Sequence, residues 1–134
     1  MKVLLVEHHH LFRKSLRMLL ELNDSIRIVG EAGNGKEALD LVEEVMPDVA
    51  VIDISLPGRS ALEIARQVKR AYSSIKIVIL SRFEHNIYVD YAFRCGASAY
   101  VLKDCVSDEL LMALEDVMTG RRYVSASRAQ PLNA

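Results

Sequence analysis

Four residues stand directly at the ends of short apolar runs: Glu7 after VLLV, Asp53 closing VAVID, Ser81 after KIVIL and Lys103 after AYVL. Two carboxylates, a hydroxyl and an ammonium suit an aspartate that handles a phosphoryl group. Asp53 would be the nucleophile, Lys103 and Ser81 would hold phosphoryl oxygens, and a divalent cation would screen the charge between the oxyanions. Each residue alone has a plainer reading: an aspartate as a turn former, a serine as a loop hydroxyl, a lysine as an exposed ammonium that adds little stability. Their joint placement after four apolar runs favours a site. Three histidines, His8, His9 and His10, follow Glu7. Adjacent loop residues seldom converge on one ion, so a transition-metal cluster is the weaker reading of that run.

The apolar runs cover 3–6, 26–31, 49–53, 76–80 and 99–102 and are rich in Val, Ile and Leu without polar alternation. Strands buried on both faces of a parallel sheet look like this. Between them lie amphipathic helices. Segment 11–22 puts Leu16, Leu19 and Leu20 on one face and a basic stripe of Arg13, Lys14 and Arg17, read as solvated, on another; segment 36–45 repeats the pattern with Ala38, Leu39, Val42 and Val45. Ser60 with Glu63 forms a capping box for the third helix, and Ser107 with Asp108 and Glu109 opens the fifth. Gly96 and Gly120 fall where helices four and five should end, and Tyr88, Tyr91 and Phe93 in the fourth helix read as partly core. Strict alternation predicts a three-layer, doubly wound (βα)5 α/β domain with right-handed crossovers. Such folds bind ligands at the carboxyl ends of the strands, beside the topological switch point.

The 134 residues, 51% of them hydrophobic, fit one domain with a substantial core. Seventeen basic against eighteen acidic residues exclude a global basic field for nonspecific nucleic-acid binding. Cys95 and Cys105 make no disulfide framework. The first apolar run is too short for a signal peptide and none approaches the ~18 residues of a membrane span, so a cytoplasmic protein without membrane contact is expected. The domain is expected over 1–120. Residues 121–134, which lose periodicity and carry Arg121, Arg122 and Arg128 without an acid, read as a tail or the start of a linker.

VLLVEHHH followed by VIDISLPG, IVILS and ASAYVLKD resembles the receiver domain of two-component response regulators, in the branch that usually precedes a LuxR-type helix-turn-helix. The resemblance covers about 2–124. It implies a flavodoxin-like, five-stranded parallel sheet of order 2-1-3-4-5. It further implies Asp53 as phosphoacceptor, Lys103 as its paired lysine, Ser81 as switch hydroxyl and Tyr100 as the rotating aromatic. Mg²⁺ would be held by Glu7, Asp53 and the backbone carbonyl of Ser55. A histidine kinase would be the donor, a homodimer is a further expected partner state, and DNA would be reached only through an effector outside this chain. A signalling domain of this kind is no classical enzyme; self-catalysed phosphoryl transfer and autodephosphorylation are its limit.

Departures from the family pattern carry their own expectations. Glu7 fills the first of two acid positions, but His8 stands in the second, where a metal-binding carboxylate belongs; imidazole there would shift preference from Mg²⁺ toward Mn²⁺. A degraded metal site would make the chain a phosphorylation-independent pseudo-receiver, the alternative function. Ala61 replaces a usual glycine, and Arg82 with Phe83 flanks the switch hydroxyl where smaller or polar residues are common. A haloacid-dehalogenase-like phosphatase would need an Asp-x-Asp pattern, and position 55 is Ser; a flavodoxin would need a hydroxyl-rich loop in place of EHHHLFR.

Overall fold

A computed structural model describes residues 1–125. The chain runs β1 (Lys2–Val6), α1 (His10–Glu21), β2 (Arg27–Ala32), α2 (Gly35–Val45), β3 (Val49–Asp53) and α3 (Ala61–Ala71). It continues through β4 (Lys76–Ser81), α4 (Asn86–Arg94), β5 (Ala99–Leu102), a 3-10 turn (Lys103–Cys105), α5 (Val106–Met118) and β6 (Tyr123–Val124). All strand pairs are parallel, in the order β2-β1-β3-β4-β5-β6.

The central strands are apolar throughout because helices cover both faces. Along β3, Ala50 and Ile52 enter the core layer shared with α2, α3 and α4, while Val49 and Val51 enter the layer shared with α1 and α5. α3 buries Ala61, Leu62, Ile64, Ala65 and Val68, a stripe of helical spacing, and starts where the Ser60 side chain accepts from the Glu63 N–H. Asn34 caps α2 the same way through the Glu37 N–H. Gly96, past the end of α4, has φ +103°, and a Cβ there would meet Lys69 Cγ at 2.7 Å, so the chain turns into β5 on a residue without a side chain. Order reverses between β1 and β3, and their carboxyl ends carry Glu7 and Asp53.

Three expectations need correction. The sheet has six strands, because part of the segment read as tail adds β6: Tyr123 N–H donates to Ser98 O and Ser125 N–H to Tyr100 O. The remainder of that segment, 126–134 with Arg128, lies outside the described residues. Ser107 does not cap α5, since the 3-10 turn carries the chain into the helix at Val106 and leaves Ser107 within the first turn. In α4, Phe93 packs on the core but Tyr88 and Tyr91 are 40% and 52% exposed.

β6 is held by more than its ladder. Buried Ser125 accepts from the Leu102 N–H at 3.0 Å and its hydroxyl donates to Glu109 Oε1 at 2.9 Å, where the Tyr123 hydroxyl also donates at 2.7 Å. Burial, reinforced by Glu109, raises the Tyr123 phenol well above its ordinary range. Ser125→Ala leaves a buried β5 N–H without its acceptor and is expected to cost about 1–3 kcal/mol, read as a lowered midpoint in urea unfolding.

Candidate functional site

Parallel strands deliver the predicted residues to one edge because their registers align. β3 sets Asp53 beside Leu80, and β4 sets Ser81 beside Leu102, the residue before Lys103. Glu7, Asp53 and Ser81 are buried, at 1%, 3% and 0% exposure. Lys103 Nζ bridges the two acids, 3.0 Å from Glu7 Oε1 and 3.1 Å from Asp53 Oδ2. The Lys103 ammonium also lies 4.8 Å from the centroid of the Phe12 ring. With its side chain 16% exposed, it is not the solvated charge its residue type suggests.

Each carboxylate has one further anchor. Ser55 N–H donates to Asp53 Oδ1 at 3.0 Å, and His9 N–H donates to Glu7 Oε2 at 3.1 Å. Burial pushes the Glu7 carboxyl above its usual range and the Asp53 charge adds to that; the His9 N–H and Lys103 oppose it. Apart from Lys103 at 3.0 Å, Glu7 Oε1 has no partner among the described residues, so that ammonium is what neutralises it. A cleft of about 760 Å³ opens over this group, lined by His9, Phe12, Asp53, Ser55, Arg82, Glu84, Lys103 and Asp104.

Ser81 and Tyr100 are joined through one residue. The Phe83 N–H donates to Ser81 Oγ at 2.9 Å, and the Tyr100 hydroxyl donates to Phe83 O at 2.7 Å. Tyr100 is buried, which raises its phenol pKa against the opposing Ser81 hydroxyl.

His8 departs from expectation. It is exposed and lines a separate depression with His10, Arg13, Glu31 and Glu37, while His9 lines the Asp53 cleft. Among the described residues, no three His, Cys, Asp or Glu side chains are grouped to hold a metal ion. The oxygen donors nevertheless fit a hard cation: a buried carboxylate oxygen on Glu7 with no aligned hydrogen bond, the Asp53 carboxylate, and Ser55, whose carbonyl is the third donor the resemblance implies. With His8 lining a separate depression, these donors are oxygens alone. His8→Ala is expected to leave Mg²⁺ affinity unchanged by calorimetry, whereas Glu7→Gln should weaken it; a large loss on His8→Ala would return that ring to the site.

Of the α1 stripe expected to be solvated, the Arg13 side chain is only 16% exposed. Arg13 Nε lies 3.1 Å from Glu31 Oε1, and Arg17 pairs with the other oxygen of the same carboxylate. Sequence spacing hides this contact, because the partner sits on a neighbouring strand.

Comparison with known proteins agrees with this fold. The chain is 33% identical over 131 residues to response regulator GacA of Pseudomonas aeruginosa strain PAO1, covering 98% of this chain and 61% of that protein. It is 35% identical over 130 residues to transcriptional regulatory protein DesR of Bacillus subtilis strain 168, covering 97% and 64%. The chain thus spans about three-fifths of the length of these curated relatives. Among solved structures, a two-component response regulator of the LuxR family from Aurantimonas sp. SI85-9A1 superposes with a TM-score of 0.90 at 32% identity, covering 95% of this chain and 93% of that one. The family model for the response regulator receiver domain matches residues 3–115, from the first strand into the last helix. A match of that extent, together with a solved receiver of the same fold at 32% identity, leads to one conclusion: this chain belongs to the response regulator receiver domain family.

Proposed function

We propose that the domain accepts a phosphoryl group on Asp53 from a histidine kinase and answers by reshaping the face of α4, β5 and α5, in the service of transcription control. The observation that carries this reading is the Lys103 ammonium held between Glu7 and Asp53 at 3.0 and 3.1 Å on the floor of an open cleft. An Asp53 oxygen attacks phosphorus, the bond from phosphorus to the kinase imidazole breaks, and the nitrogen keeps that electron pair. Lys103 neutralises negative charge beside the attacking carboxylate and offers a donor to the phosphoryl oxygens. Glu7, Asp53 and the Ser55 carbonyl would hold Mg²⁺, which when bound would screen the repulsion between phosphoryl oxygens and carboxylates.

The response follows from hydrogen bonds already in place. A phosphoryl group on Asp53 draws the Ser81 hydroxyl toward it, and Ser81 Oγ is the acceptor for the Phe83 N–H. Phe83 O in turn holds the Tyr100 hydroxyl, so motion of Ser81 passes along one residue of backbone to the aromatic of β5. Phe83 also stacks on Tyr88, 4.6 Å between centroids, at an exposed surface that continues to Ile87 and Tyr91. That surface suits a second copy of this domain whose fit depends on the Phe83 backbone.

The transcriptional role rests on relatives such as transcriptional regulatory protein DesR. No helix among the described residues is long and apolar enough to cross a membrane, in keeping with action in the cytoplasm. The pseudo-receiver alternative rests on His8; its exposed position, apart from an assembled Glu7, Lys103 and Asp53, favours the phosphorylated reading. Amide exchange before and after treatment with acetyl phosphate and Mg²⁺ tests the response. Changes are expected over 81–94 and in β5; changes confined to α2 would contradict this route.

A further inference from the structure

The proposed site leaves one partly buried cation next to it without a role. Arg13 lies one turn into α1, and three nitrogens of its guanidinium contact three different segments. Nη1 donates to Glu7 O at 2.8 Å, at the point where β1 ends. Nη2 meets His10 Nδ1 at 3.1 Å, in the first turn of α1. Nε pairs with Glu31 of β2 at 3.1 Å. Arginine only donates, so this contact makes His10 Nδ1 the lone-pair nitrogen.

We infer that Arg13 is a positioning residue for phosphoryl chemistry: its planar fork fixes the loop from Glu7 to His10 and so aims the Glu7 carboxylate at Lys103 and Asp53. The inference rests on the receiver reading of the site. The backbone of Glu7 has two tethers. Its N–H joins the sheet by donating to Ala32 O, and its carbonyl is held by Arg13. Beyond Glu7, the chain must deliver the His9 N–H to Glu7 Oε2, which sets the carboxylate's rotation. Arg13 grips both flanks of that short span, at Glu7 and His10, and anchors the grip on Glu31, which Arg17 also holds. The same grip leaves His8 facing outward between the two contacts. A lysine would bring the charge but only a point donor, unable to span three segments.

The test uses Arg13→Lys, which keeps the charge near the cation site and removes the fork, and Glu31→Gln, which leaves Arg13 in place but loosens its anchor. Mg²⁺ affinity of the unphosphorylated protein is measured by calorimetry, and phosphorylation by acetyl phosphate is followed against Mg²⁺ concentration. Loss of an outer-shell orienter predicts about tenfold weaker Mg²⁺ binding in Arg13→Lys and a smaller loss in Glu31→Gln. At saturating Mg²⁺ the phosphorylation rate should return toward that of the parent, because Asp53 and Lys103 are untouched. Unchanged Mg²⁺ affinity in a folded Arg13→Lys, or a rate that stays low at saturating Mg²⁺ with affinity intact, would overturn the inference. Should Arg13→Lys fail to fold, unchanged affinity in Glu31→Gln would overturn it instead. A parent that binds Mg²⁺ but takes no phosphoryl group would refute the receiver reading while leaving the affinity comparison to judge Arg13.

Discussion

Asp53→Asn is expected to abolish phosphoryl incorporation from acetyl phosphate and, in the same protein, to raise stability. The first effect follows from chemistry: an amide oxygen is no substitute for the carboxylate nucleophile, and Asp53 is the acid at the end of the central strand within reach of Lys103. The second follows from charge. Glu7 and Asp53 are both buried and share one ammonium, and the Asp53 charge helps hold the Glu7 carboxyl above its usual range. Removing one of the two relieves their mutual repulsion and the desolvation of a second buried carboxylate, which outweighs the lost attraction to Lys103 by a gain on the order of 1 kcal/mol. Intact mass spectrometry reads the first effect and urea unfolding the second. Incorporation that survives the substitution would assign the phosphoacceptor elsewhere.

Lys103→Ala is the converse case and should damage both chemistry and fold. The variant leaves two buried carboxylates facing each other with no cation between them, which costs about 3 kcal/mol, the low end for a broken buried pair because the cleft admits water. Phosphorylation should fall by about 10²-fold or more, as expected when a preorganised electrostatic donor is lost. The stability loss should depend on pH. Glu7 is raised above its unfolded value, so its protonated form is favoured in the fold; stability is fully present below the unfolded pKa and is lost as pH rises through the folded value. Without Lys103 that folded value climbs further, and the variant should be closer to the parent in mildly acidic buffer than at neutral pH. A Lys103→Ala protein as stable as the parent at neutral pH, and phosphorylated as fast, would reduce Lys103 to a surface charge.

Much of this architecture is legible in the sequence because it rests on short-range regularities. Apolar runs without alternation mark central strands such as β3, and strict alternation with amphipathic helices forces their carboxyl ends to one edge. Glu7, Asp53, Ser81 and Lys103 can therefore be named before any coordinates. What escapes the sequence is set by long-range contacts. β6 is two residues long, too short for periodicity, and exists because Ser98 O and Tyr100 O accept its backbone N–H groups and Glu109 and Leu102 hold Ser125. The position of His8 is readable but its direction is not, since Arg13 fixes the flanking residues through a partner on β2. The burial of Lys103 depends on Phe12 and Glu7, which are distant in sequence. Residue types locate the chemistry; tertiary contacts aim it.

Everything proposed for this domain depends on Asp53 accepting a phosphoryl group. Incubating the protein with acetyl phosphate and Mg²⁺, then taking an intact mass and mapping the modified peptide, tests it most directly. A single added phosphoryl group is expected, on the peptide containing Asp53, and it should be absent when Mg²⁺ is chelated. No mass gain at saturating donor and Mg²⁺, or a phosphoryl group mapped to any other residue, would contradict it.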